Sequence, residues 1–143
     1  MAKPAKAILL AEDADDDAFF LKRVLQKALL CNPIFFVRDG AEAIAYLNGD
    51  CPFNDREQYP LPAFLFLDLK MPRVHGQGVL HWLKSHPPLG RMRVFVVSHH
   101  DDKKTFDEVY ALGAESFLTK PVRLAEVINL IRQFPGDWQL EAG

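Results

Sequence analysis

Five side chains could do phosphoryl chemistry if folding brought them together: Glu12, Asp13, Asp68, Ser98 and Lys120. Asp68 ends the apolar run Ala63-Phe64-Leu65-Phe66-Leu67, and Glu12-Asp13 end Ala7-Ile8-Leu9-Leu10-Ala11. Three carboxylates in one place repel one another, so a site that keeps them ionised normally holds a hard cation such as Mg²⁺. Beside that cation a carboxylate can attack a phosphoryl group and carry it as an aspartyl phosphate. The equatorial oxygens of the group in transfer need positive partners, which the metal, Lys120 and backbone N–H groups can supply. Ser98 could hydrogen-bond one of those oxygens once the group is in place. Taken singly, each residue has a plainer reading. Glu12-Asp13 would be a solvated turn, Asp68 a capped turn, Ser98 a strand-end cap and Lys120 a surface lysine.

The elements decide whether they meet. Ala63–Leu67 offers no solvated face, is entered from Pro60 and Pro62 and left through Met71-Pro72, and reads as a strand buried on both sides. Ala7–Ala11 is a second continuous apolar run, Val94–Val97 another buried strand ending in Ser98, and Ile34–Val37 and Ser116–Thr119 read as further strands, the latter ending in Lys120-Pro121. Between them lie helical patterns. Asp15-Asp16-Asp17 suit a helix N-terminus, Leu21, Val24, Leu25 and Ala28 stripe one face, and Asn32-Pro33 is the expected stop. Asp39-Gly40-Ala41-Glu42 reads as a capping box opening a helix through Leu47. Asn48 to Pro62 is a long loop, Gly76 to Ser85 a short amphipathic helix, and Asp101 to Leu112 a mostly polar helix stopped by Gly113. Leu124, Val127, Ile128 and Ile131 stripe the last helix, which Phe134-Pro135-Gly136 ends. Five strands alternating with five helices imply βαβ units, a parallel sheet covered on both faces, and ligands beyond the carboxyl ends of its strands.

Composition bounds the reading. With 143 residues, 49% hydrophobic and 25% charged, the chain is one domain with a real core. A net charge of −2 argues neither for a nucleic-acid-binding surface nor for a strongly acidic tail, and no run is long enough for a membrane span, so neither partner is expected. The start lacks a signal peptide's apolar region, so the cytoplasm is expected. Cys31 and Cys51 form neither a disulfide framework nor a metal spacing.

Over residues 6–134 the chain resembles a receiver domain of the two-component response-regulator family, leaving 1–5 as an N-terminal extension and 135–143 as a tail. The motifs that carry the resemblance are Glu12-Asp13, Leu67-Asp68-Leu69-Lys70-Met71-Pro72, Ser98, Phe117 and Lys120-Pro121. It implies an α/β, flavodoxin-like (βα)5 doubly wound parallel five-stranded sheet in the order 2-1-3-4-5. It also implies that Asp68 is the phosphoacceptor and that Mg²⁺ is held by Glu12, Asp13, Asp68 and the Lys70 carbonyl. Lys120 would pair with the phosphoryl oxygens, Ser98 would be the switch hydroxyl and Phe117 the rotating aromatic, with a cis Lys120-Pro121 bond. A sensor histidine kinase would be the phosphodonor. The loop before the central strand and the Trp138 tail are similar to those of the small regulators paired with phytochrome-type kinases. Nine residues after Phe134 leave no room for an output domain in this sequence, so the expectation is a stand-alone signalling protein in a phosphorelay, not an enzyme. The family often pairs through the face after Ser98, which makes a homodimer one of the assemblies the resemblance admits.

Two positions depart from the family. His99 stands where a small residue is usual and would narrow the path to Asp68. Lys70 carries an amine that could reach the mouth of the pocket. His99 and His100 are not a metal pair, because adjacent strand residues point to opposite faces. A phosphatase with an aspartyl nucleophile would need a second acid where Lys70 stands. An unphosphorylated docking module, acting through the fourth helix, fifth strand and fifth helix, is the alternative that His99 favours.

Overall fold

The computed structural model describes residues 6–89, 91–99 and 102–141. The extension 1–5, His100, Asp101 as a helix start, and residues 142–143 of the tail lie outside the described residues. Strands β1 (Ala7–Ala11), β2 (Ile34–Val37), β3 (Pro62–Asp68), β4 (Arg93–Ser98) and β5 (Ser116–Thr119) form one sheet in the order β2-β1-β3-β4-β5. Every pairing is parallel. Helices α1 (Asp15–Lys27), α2 (Gly40–Asn48), α3 (Gly76–Lys84) and α4 (Lys103–Ala111) connect them, and α5 (Leu124–Gln133) follows β5. The strand-helix alternation implies the parallel, doubly covered sheet, and the order is the flavodoxin-like one that the family resemblance implies. No helix among the described residues is long and apolar enough to cross a membrane.

The period of two along each strand divides the core. Leu9, Leu65, Leu67, Val94 and Val96 face one layer with Ala43, Tyr46, Val79, Leu80 and Val109 of α2, α3 and α4. Ile8, Leu10, Phe64, Phe66, Phe95 and Val97 face the other with Leu21, Val24 and Leu25 of α1 and Val127 and Leu130 of α5. On β1, β3 and β4 the first face is aliphatic, and the second carries Phe64, Phe66 and Phe95. Over β1, β3 and β4 both are closed to water, which is why those strands read as apolar runs.

Several boundaries differ from the sequence reading. Helix α1 stops at Lys27, before Asn32-Pro33, because Leu29 turns left-handed (φ 67°). That turn lets Leu30 N–H bond the Leu25 carbonyl at 3.2 Å and buries the Leu30 side chain. Asn32 has another task. It donates to the Lys6 and Asp137 carbonyls and accepts from Gln139 N–H, tying the tail to the domain. Trp138 completes that clasp, stacking on Phe64 with ring centroids 3.6 Å apart while its Nε1 donates to the Phe134 carbonyl. The tail is thus part of the second core layer and covers the end of α5.

The stretch after α2 has no strand or helix but is fastened. Arg56 donates to the Tyr46 and Leu47 carbonyls in the last turn of α2, and to the Tyr59 carbonyl. Phe53 and Tyr59 pack edge-on at 5.1 Å beside Tyr46.

Candidate phosphoryl-acceptor site

A parallel sheet sends all its carboxyl ends to one edge, so the residues following β1, β3, β4 and β5 must converge there. They do. Glu12 and Asp13 follow β1, Asp68 ends β3, Ser98 ends β4 and Lys120 follows β5. Glu12, Asp13 and Asp68 each offer a carboxylate oxygen, and these lie within 4.8 Å of one another. Lys120 Nζ contacts Glu12 Oε1 and stands 3.6 Å from Asp68 Oδ2. Ser98 is buried beside them, and the Lys120 N–H bonds the Ser98 carbonyl at 2.9 Å, locking β5's end to β4's. A cavity of about 230 Å³ opens over this cluster.

The electrostatics indicate what kind of ion fits the cluster. Burial pushes the Glu12 carboxyl up to about 8, with the neighbouring Asp68 adding to the rise and Lys120 opposing it. Burial pulls the Lys120 amine down, but its hydrogen bonds to Glu12 and Asp17 outweigh that and leave it raised. One ammonium thus serves a pocket of carboxylates whose Glu12 and Asp68 side chains are only 8% exposed. Glu12 Oε2 is buried with no hydrogen-bond partner among the described residues. An orphaned carboxylate oxygen beside two more carboxylates fits a hard divalent cation, and all-oxygen donors suit Mg²⁺.

The loop leaving β3 is fixed from both sides. Lys70 N–H points at Asp68 Oδ1 from 3.4 Å, and the Lys70 side chain is exposed. Gly76 N–H bonds the Leu69 carbonyl, and a Cβ at Gly76 would stand 2.5 Å from the Asp68 carbonyl oxygen, so only glycine lets α3 start this close to the acceptor. On the far side Arg73 grips Asp39, with Nε on Oδ2 at 2.9 Å and Nη2 on Oδ1 at 3.1 Å. Asp39 also caps α2 through Glu42 N–H at 2.7 Å, the first half of the expected capping box. Phe117 is half-buried and meets Phe106 of α4 edge-on at 4.5 Å. The Lys120-Pro121 bond is cis, as is Cys51-Pro52. His99 sits at the rim, 65% exposed, with Nε2 3.8 Å from Asp17 Oδ2.

Two participants escaped the sequence reading. Asp17, read as one of three acids suited to a helix N-terminus, accepts a 2.9 Å hydrogen bond from Lys120. The available signal was position, since first-turn side chains lean back toward the helix N-terminus and therefore toward the strand end before it. The Arg73–Asp39 pair joins two loops 34 positions apart, and nothing local announces it.

Comparison with known proteins agrees with this geometry. A family model described as the response regulator receiver domain matches residues 8–132. Response regulator Rcp1 of Synechocystis sp. is 28% identical over 137 residues, spanning 96% of this chain and 91% of the relative. A crystal structure of the Mn(2+)-bound form of Rcp1 is similar with a TM-score of 0.76 at 29% identity, over 96% of this chain and 99% of that one. Response regulator RPA3017, from red light signaling of R. palustris, gives a TM-score of 0.82 at 30% identity, covering 96% of this chain and 99% of its own. The bacteriophytochrome response regulator AtBRR gives 0.83 at 30%, covering 99% and 100%.

Proposed function

The chain belongs to the response regulator receiver domain family of two-component systems, and we propose that it is a stand-alone regulator that accepts a phosphoryl group on Asp68 from a histidine kinase. The observation that carries this reading is the buried Asp68 carboxylate, set 3.6 Å from the Lys120 amine and clustered with two further acids. Asp68 is the nucleophile. Asp13, Asp68 and the Lys70 carbonyl would hold Mg²⁺, with Glu12 supporting it from beside them. When bound, Mg²⁺ supplies the positive charge that lets the carboxylates stay ionised and that offsets charge on the phosphoryl oxygens. Lys120 moves to a phosphoryl oxygen and Ser98 donates its hydroxyl to another. Phe117 turns inward with Ser98, which changes its edge-on contact with Phe106 and so the α4-β5-α5 face. Downstream proteins, or a second copy of the chain, read that face.

The donor we favour is a phytochrome-type histidine kinase, because relatives similar over nearly the whole chain are response regulators of bacteriophytochrome and red-light signalling. Mg²⁺ as the physiological cation is supported by the orphaned Glu12 oxygen and by the Mn(2+)-bound form of Rcp1. The alternative, an unphosphorylated docking module using the α4-β5-α5 face, draws on His99 at the rim. Incubation with acetyl phosphate and Mg²⁺ separates the two. Covalent labelling that is labile to base and prevented by chelation supports the acceptor, and an unlabelled wild-type chain supports the module.

A further inference from the structure

A fourth carboxylate reaches the site from outside the cation cluster. Asp17, half-buried in the first turn of α1, takes a 2.9 Å hydrogen bond from Lys120 Nζ, and that bond is the largest influence holding its carboxyl below the usual value. An ammonium has three donors. Here one goes to Glu12 and one to Asp17, while the nearer Asp68 oxygen lies at 3.6 Å, beyond a direct hydrogen bond. The amine that a phosphoryl oxygen on Asp68 must recruit is therefore already engaged by two acids that are not the acceptor. Glu12 belongs to the cation cluster and would serve a held cation. Asp17 does not, so its grip on Lys120 persists.

We propose that Asp17 is a positioning residue that competes with the phosphoryl group for Lys120, so that charging Asp68 requires the amine to leave Asp17. The inference rests on the reading of Asp68 as phosphoacceptor and names a control built into that site. Two effects of removing the Asp17 charge share a sign. The amine is freed for the phosphoryl oxygen, and the incoming anion meets less negative potential. A unit charge several ångströms away, partly screened by solvent, changes such an equilibrium by about tenfold. A purely structural Asp17 would instead lower every affinity with the stability of α1.

The test is the affinity for beryllofluoride, a phosphoryl mimic, at saturating Mg²⁺, measured beside the affinity for Mg²⁺ alone. Wild type is compared with Asp17→Asn, with Asp17→Glu, which restores the charge, and with Asp16→Asn, an exposed acid of the same turn. Asp17→Asn is expected to bind the mimic about tenfold more tightly, with Asp17→Glu near wild type and Asp16→Asn changed by less than about threefold. Mg²⁺ affinity moves by less than about threefold throughout, because Asp17 is not among its ligands. Should the amide disturb α1, Asp17→Ser gives the same comparison. Equal or weaker binding by Asp17→Asn, with wild type binding normally, overturns the proposal and leaves the acceptor standing. A matching gain in Asp16→Asn assigns the effect to bulk charge and also overturns it. A wild type that binds no mimic removes the acceptor reading and the proposal together.

Discussion

Glu12 is the residue whose charge state the fold controls most. With its carboxyl pushed up to about 8 by burial and by Asp68, it is largely protonated at neutral pH in the metal-free chain. Holding a cation then requires it to lose that proton, so Mg²⁺ affinity rises with pH up to about pH 8 and levels above it. Calorimetry in two buffers of different ionisation enthalpy should find close to one proton released per Mg²⁺ near pH 7 and almost none near pH 9.5. No release near pH 7 would contradict the assignment. The sign for stability is opposite. A carboxyl raised in the folded state contributes stability below its ordinary value near 4.5 that is lost as pH climbs toward about 8. The metal-free chain should therefore lose that contribution across this window, and Glu12→Gln should not. Asp13→Asn removes a charged ligand without creating a cavity, so Mg²⁺ should bind at least about tenfold more weakly while the metal-free melting temperature holds or rises. At this scale the acids, hydroxyl and amine were legible because each ends a strand-like run. Asp17 and Arg73 were not, because each is defined by a partner more than thirty positions away.

Among the elements, the turn from β3 to α3 is the most constrained. A methyl group at Gly76 would meet two backbone atoms, the Asp68 carbonyl oxygen at 2.5 Å and Leu69 Cα at 2.8 Å. Gly76→Ala must displace the acceptor's own backbone, and should cost about 2–4 kcal/mol by urea unfolding while also weakening Mg²⁺ binding. Trp138 makes the opposite kind of prediction. It stacks on buried Phe64 far from the acids, so Trp138→Ala should cost about 2–3 kcal/mol and leave Mg²⁺ affinity unchanged. Five strands and five helices were readable because β1, β3 and β4 are buried on both faces, α1, α3 and α5 are striped, and turn residues bound the rest. The end of α1 was misread for a physical reason. A left-handed leucine is not written in any local pattern, and Asn32-Pro33 serves the tail, whose docking depends on residues 105 and 107 positions away.

For the molecule as a whole, the sheet divides labour between its layers. The α1 and α5 layer is closed by phenylalanines and by the tail, whereas α4 buries Val109 alone among its nine residues and touches β5 through the Phe106–Phe117 pair. The weakly anchored helix sits over the switch. Beryllofluoride with Mg²⁺ should therefore change backbone hydrogen exchange in residues 103–111 and leave residues 62–67 of the central strand protected as before. The layered fold followed from strand-helix alternation, but the strength of each helix's attachment depends on packing that periodicity does not count. The central claim is that Asp68 carries the phosphoryl group, and chemical mapping tests it most directly. After acetyl phosphate and Mg²⁺, borohydride reduces an aspartyl phosphate to homoserine, which mass spectrometry places in the sequence. Homoserine at position 68, and its absence when Mg²⁺ is chelated, is the predicted result. Homoserine at another carboxylate, or at none, would contradict the account.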